Sequence, residues 1–137
     1  QAGTYHQLGR VAQERRQWGE AEKHYREALR IYVEFHDRYM QGSTYHNLGR
    51  VAQEQRQWDE AGKNYREALR IFAEFNDQHS LAVTLRNIVS MAPERPGIPD
   101  WVAEILGVTA DEVQKLFEAI RPDPGEPPPE SAAAAPE

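Results

Sequence analysis

The chain has 137 residues, no Cys, and 22 acidic against 16 basic side chains, for a net charge of −6. Without Cys, disulfides and thiolate chemistry are excluded, which fits a reducing, cytoplasmic setting. No apolar run approaches the ~20 residues of a membrane-spanning helix, and no signal peptide is visible.

The first residues, from Gln1, read as already helical and lack an initiator Met, so the sequence reads as a fragment of a longer protein. Tyr5, Leu8, Gly9 and Ala12 then fall at i, i+3, i+4 and i+7, one face of a helix. Gln17-Trp18-Gly19-Glu20 interrupts it, with Trp18 in the turn and Gly19 at the cap. A second helix follows, carrying Ala21, Tyr25, Ala28 and Leu29 on one face. Gly9 and Ala28 are small residues on apolar faces, so the two helices can approach closely.

Forty residues later the same text returns. Thr44 opens TYHNLGRVAQEQRQWDEAGKNYREALRIFAEFND, which agrees at most positions with the stretch opened by Thr4. Tyr45, Leu48, Gly49 and Ala52 repeat the first face, and Ala61, Tyr65, Ala68 and Leu69 the second. Trp58 sits in the second turn, and Asp59 replaces Gly19 as the helix cap. A fixed period of this length marks a stacked array, in which each helical pair buries its apolar face against its neighbours.

Leu-Gly followed by Ala, Tyr and Ala at these spacings resembles the tetratricopeptide repeat, over residues 2 to 92. The second helix of each unit continues through Ile31-Tyr32-Val33-Glu34-Phe35 and lacks the terminal Pro of the common repeat. That longer form is similar to the repeats of kinesin light chain, of Partner of Inscuteable scaffolds and of bacterial arrays attached to signalling NTPases. The resemblance implies an all-α fold, a superhelix of helical pairs that holds a protein or peptide in its concave groove and performs no chemistry.

A third unit begins and stops. Thr84, Asn87 and Ala92 align with Thr44, Asn47 and Ala52, but Val89 stands where Gly49 stood, and Pro93 and Pro96 end the helix. Without the Gly, a second helix cannot approach in the usual way, and the segment reads as a cap. A helix from Pro99-Asp100 to Leu106 is stopped by Gly107. Thr109 with Glu112 reads as a capping box, and Val113, Leu116, Phe117 and Ile120 form an apolar stripe. The organisation expected is residues 1–38 and 39–78 as two repeats, 79–92 as a capping helix and 98–121 as a C-terminal helical hairpin. Residues 122–137, rich in Pro, Ala and acidic side chains, should be disordered.

Charge is divided along the chain. Up to Ala92 there are 13 basic and 12 acidic residues; after it, 3 and 10. An acidic C-terminal part argues against nonspecific nucleic-acid binding there. Ala103, Gly107 and Val113 have the spacing of a helix-turn-helix. Its second helix, however, would present Asp111 and Glu112 to phosphates, with only Lys115 and Arg121 to help. A hairpin for packing or protein contact is the better reading, and a DNA-associated regulator the alternative.

The first helix of each unit projects a polar face: His6, Arg10, Gln13 and Glu14, then His46, Arg50, Gln53 and Glu54. Gln7 and Asn47 lie beside these, and the third helix adds Arg86 and Asn87. In the resembling family this face lines the groove. Its side chains suit carboxylates and peptide carbonyls, so the expected partner is a protein or peptide of acidic character. The bland alternative is a solvated polar face that merely records duplication. His24, His36 and His79 show no zinc spacing, and no phosphate loop, metalloprotease motif or nucleophile elbow is present. No catalytic residue, metal, cofactor or membrane contact is expected. An uncovered first helix and near-identical repeats favour a homodimer of the isolated fragment.

Overall fold

The computed structural model describes residues 1–91 and 98–120. Among these residues the structure is all-α. The helices are α1 (Ala2–Glu14), α2 (Trp18–Glu34), α3 (Arg38–Glu54), α4 (Trp58–Glu74), α5 (Gln78–Met91), α6 (Ile98–Leu106) and α7 (Ala110–Ile120). The break at Pro93 and Pro96, Ala92, Arg121 and the tail 122–137 lie outside the described residues.

Two glycines decide how each pair closes. A β-carbon on Gly9 would lie 2.7 Å from ring atoms of Tyr25, and one on Gly49 would lie 2.6 Å from those of Tyr65. The helix-to-helix distance is therefore set by a Tyr ring packed directly on bare backbone. Both rings are fully buried. Each uses its hydroxyl to donate to a Gln on the paired helix: Tyr25 to Gln13 Oε1 at 2.7 Å, and Tyr65 to Gln53 Oε1 at 2.6 Å. A buried phenol without such a partner would be costly.

The turns differ from the sequence expectation. Arg16, His36, Arg56 and Asn76 all adopt positive φ, between 52° and 58°. Each sits just past a helix end. Arg16 N–H bonds to Gln13 O, and Gln17 N–H bonds back to Ala12 O. The same two bonds recur after α2, α3 and α4. This is the Schellman closure, normally built with Gly. It reverses the chain so tightly that Gln17 and Gln57 are already the N-caps and Trp18 and Trp58 the first helical residues. Gly19 and Asp59 therefore lie inside the first turn and are not caps. Asp59 still meets the positive end of the helix dipole there. Both Trp side chains pack on core clusters.

Stacking makes the core. Ala12, Ala21 and Tyr25 of the first pair meet Leu48 and Val51 of α3. The equivalent residues of α1, Leu8 and Val11, have no such neighbour among the described residues: they are 43% and 44% exposed, against 2% and 1% for Leu48 and Val51. At the other end one continuous cluster joins Tyr65 and Leu69 of α4, Ile88 and Val89 of α5, Val102 of α6 and Phe117 of α7. Val89, at the repeat position of Gly9 and Gly49, is buried in that cluster, to which α6 and α7 contribute as a hairpin. Gly107 turns that hairpin at φ 71°, and Thr109 Oγ1 caps α7 by accepting from Glu112 N–H at 3.1 Å.

Candidate functional site

The first helices of the successive units, α1, α3 and α5, lie side by side and present one face of the array. A cavity of about 380 Å³ opens there. His6 and Arg10 of α1 and His46, Asn47 and Arg50 of α3 line it, as does His79 of α5. Ser43, Ser80, Phe72 and Val83 complete the wall. None of these lining residues is acidic. Two guanidinium groups, three imidazoles, two hydroxyls and an amide form a wall that offers mainly hydrogen-bond donors, which suits carboxylates and carbonyl oxygens.

Polar bonds between helices hold the wall in place. Asn47 Nδ2 donates to His6 Nε2 at 3.2 Å when that nitrogen is unprotonated. One unit further on, the pattern changes. His46 Nδ1 lies 2.9 Å from Thr84 Oγ1. That hydroxyl gives its own proton to Ser80 O at 2.8 Å, so it receives from the ring N–H. Asn87, the repeat equivalent of Asn47, is buried, and its Nδ2 has no hydrogen-bond partner among the described residues. His6 Nδ1 is likewise buried and, among the described residues, unpartnered. The two imidazoles thus use opposite ring nitrogens at successive joints. Each ring also packs on the Tyr beneath it, His6 edge-on to Tyr25 at 5.5 Å and His46 tilted against Tyr65 at 5.9 Å. Burial, and then the Arg10 charge, push the His6 pKa below its usual 6.5. Burial raises that of Tyr25 well above the ordinary phenol range.

Of the twelve residues that the sequence places on this face, five line the cavity, namely His6, Arg10, His46, Asn47 and Arg50, while Glu14 and Glu54 are exposed outside its lining. Gln13 and Gln53 give their side-chain oxygens to Tyr25 and Tyr65, and Gln53 also donates to Ser90 Oγ at 2.7 Å. Gln7 and Arg86 are exposed away from the cavity lining, and Asn87 is buried beside it. The sequence does not single out Ser43, Phe72, Ser80 or Val83, and it offers His79 only as a dismissed zinc ligand. Ser43 lies three residues before His46 and seven before Arg50, so extending that stripe back one turn finds it. Among the described residues, no group of three His, Cys, Asp or Glu side chains could hold a metal ion, and no helix is long and apolar enough to cross a membrane.

The stacked helical pairs, with Tyr seated on Gly and a polar face along the first helices, define a repeat protein of the interaction class. The family model described as tetratricopeptide repeat matches residues 1–74 and again 40–90, and the chain belongs to that family. Repeats of this family mediate protein–protein interactions. No curated protein and no solved structure matches the chain.

Proposed function

We propose that this chain is a non-enzymatic, cytoplasmic interaction module that holds an acidic peptide segment of a partner protein against α1, α3 and α5. The observation that carries the reading is the composition of the 380 Å³ cavity, which has Arg10, Arg50 and three His side chains and no carboxylate in its lining. A cationic wall attracts an acidic segment at long range, and its donors fix carboxylates and main-chain carbonyls at short range. The cavity is shallow and polar, so binding should be modest and should weaken as salt is added.

A peptide-library pulldown with the native chain and an Arg10→Ala, Arg50→Ala double variant tests this. The native chain should enrich acidic peptides, and the variant should lose them while keeping its melting temperature. Equal recovery by both would remove the concave face as the binding site. The DNA-associated alternative has less support. Val102, Ala103, Val113 and Phe117 of the hairpin are spent on the core, and the exposed start of α7 carries Asp111 and Glu112.

A further inference from the structure

The chain carries a segment of the chemistry that suits its own concave cavity. Residues 122–137 contain Asp123, Glu126, Glu130 and Glu137 and no Lys, Arg or His. Six of the sixteen are Pro. A proline keeps its carbonyl but has no N–H, so the segment is rich in acceptors and poor in donors. The cavity wall is its complement, with Arg10, Arg50 and three imidazoles and no carboxylate in the lining.

Spacing agrees with charge. Arg10 and Arg50 are repeat counterparts on α1 and α3, and neighbouring helices stand about 10 Å apart. In Glu126-Pro127-Pro128-Pro129-Glu130, three prolines separate two carboxylates. Consecutive prolines favour the polyproline II form, in which four residues rise about 12 Å. Such a stiff spacer holds its two glutamates at the separation of the two guanidinium groups, and its prolines lower the entropy lost on docking.

The segment also has the reach. Gln53, one turn beyond Arg50, donates to Ser90 Oγ of α5 at 2.7 Å. On that same stretch of α5, Ile88, Val89 and Met91 share a buried cluster with Val113 and Phe117 of α7. The arginines thus lie level with the part of α5 on which the hairpin packs. From Ile120, at the end of α7, the chain can extend at most about 21 Å to Glu126 and about 35 Å to Glu130. One helix spacing separates α5 from α3, and two separate it from α1. The nearer glutamate matches Arg50 and the farther one Arg10.

Building on the reading of this cavity as an acidic-peptide site, we propose that its resident occupant is the chain's own segment 122–131. Glu126 pairs with Arg50 and Glu130 with Arg10, and a partner peptide binds by displacing them. Glu14 and Glu54, exposed one turn beyond the two arginines, keep the contact weak enough to be displaced. A tether of this length supplies an effective concentration in the millimolar range, so a contact of about 1 mM is closed about half the time.

The chain has no Cys, so Ser131→Cys provides a single site for a nitroxide label. Amide signals of His6, Arg10 and Asn47 should broaden, and that of Lys63, exposed on α4, far less. Glu126→Gln with Glu130→Gln should remove most of the broadening, as should about 0.5 M salt. In the unlabelled chain, a capped peptide copying residues 122–131 should bind the doubly substituted protein about twofold tighter than the native one, whose own segment competes. Broadening absent from α1 and α3, or unchanged by the two substitutions, would overturn the proposal. So would broadening that grows with chain concentration, because the segment would then sit in a second copy. Equal peptide affinity for both proteins would sink self-occupancy alone and leave the cavity an acidic-peptide site. A peptide that binds neither would sink both.

Discussion

Gly49 and Tyr65 are in contact in a way that no other residue at position 49 permits. A β-carbon there would sit 2.6 Å from both Cδ1 and Cε1 of the ring, well inside van der Waals contact. The ring cannot retreat, because it is fully buried and its hydroxyl is tied to Gln53 at 2.6 Å. Gly49→Leu should therefore overpack α3 against α4 and cost roughly 1–3 kcal/mol or more. Gly19→Ala is the control, since nothing lies within 4 Å of its added methyl. Denaturant midpoints of the two variants should move apart. Equal shifts would mean that the Tyr–Gly contact does not set the spacing.

The hairpin of α6 and α7 shares a core with the repeats. Phe117 is 5% exposed and belongs to the same cluster as Tyr65, Leu69 and Ile88. Phe117→Ala should cost about 3–5 kcal/mol, and the whole repeat array should melt earlier. Val108→Ala, at a site 40% exposed, should stay within about 0.5 kcal/mol. A repeat array whose melting ignores Phe117→Ala would show the hairpin to be an independent unit.

Four helix ends are closed by side-chain-bearing residues at positive φ. The left-handed conformation costs an L-residue roughly 1–2 kcal/mol, part of which Gly returns to the flexibility of the unfolded chain. Arg56→Gly, at φ 58°, should raise stability by about 0.5–1 kcal/mol. The same change at Lys63, inside α4, should lower it by about 1 kcal/mol. Thermal unfolding of the two variants gives opposite signs if the Schellman closure is as described.

His6 couples the concave face to pH. Its pKa is held below 6.5, first by burial and then by Arg10. The unfolded chain takes up a proton near 6.5 while the folded chain resists it. The contribution is therefore complete above that pH, and it is lost as pH falls from the unfolded value through the lower folded one. In the same range protonation turns Nε2 into a donor facing the Asn47 amide, so that amide must turn over to accept. Denaturation at pH 7.5 and 5.5 should show lower stability at the acid value, and His6→Gln should reduce the difference. This window lies above the range in which Glu74 and Asp77, held below their usual values by Arg38 and Tyr39 respectively, take up protons.

The period, the helical pairs and the buried faces are legible in the sequence because Gly, Ala, Tyr and Leu recur at helical spacing. The turns are not. A Schellman closure is normally signalled by Gly, and this chain places Arg16, His36, Arg56 and Asn76 there instead. Gly19 and Asp59, the caps that the sequence suggests, are helical. On the candidate face, His6, Arg10, His46, Asn47 and Arg50 follow from helical spacing alone. That Gln13 and Gln53 are occupied by buried phenols does not, because hydroxyl pairing across two helices leaves no periodic trace. The third helix is the hardest to read. Its Val89 suggests an end to close packing, and the structure shows packing resumed by different helices with a different geometry.

Leu8 and Leu48 are the same side chain, one in water and one in the interior, and this gives the array a direction. Among the described residues the first pair packs on α3, whereas the second pair packs on helices to either side and the last helices are locked by the larger apolar cluster. Partial opening then has one inexpensive route, starting at α1 and running toward α7. Amide protons should exchange in that order, with a gradient of protection rising along the chain. Because Leu48 and Val51 repeat Leu8 and Val11, release of the first pair bares a new front face of the same composition, so each step of fraying recreates the surface from which it began.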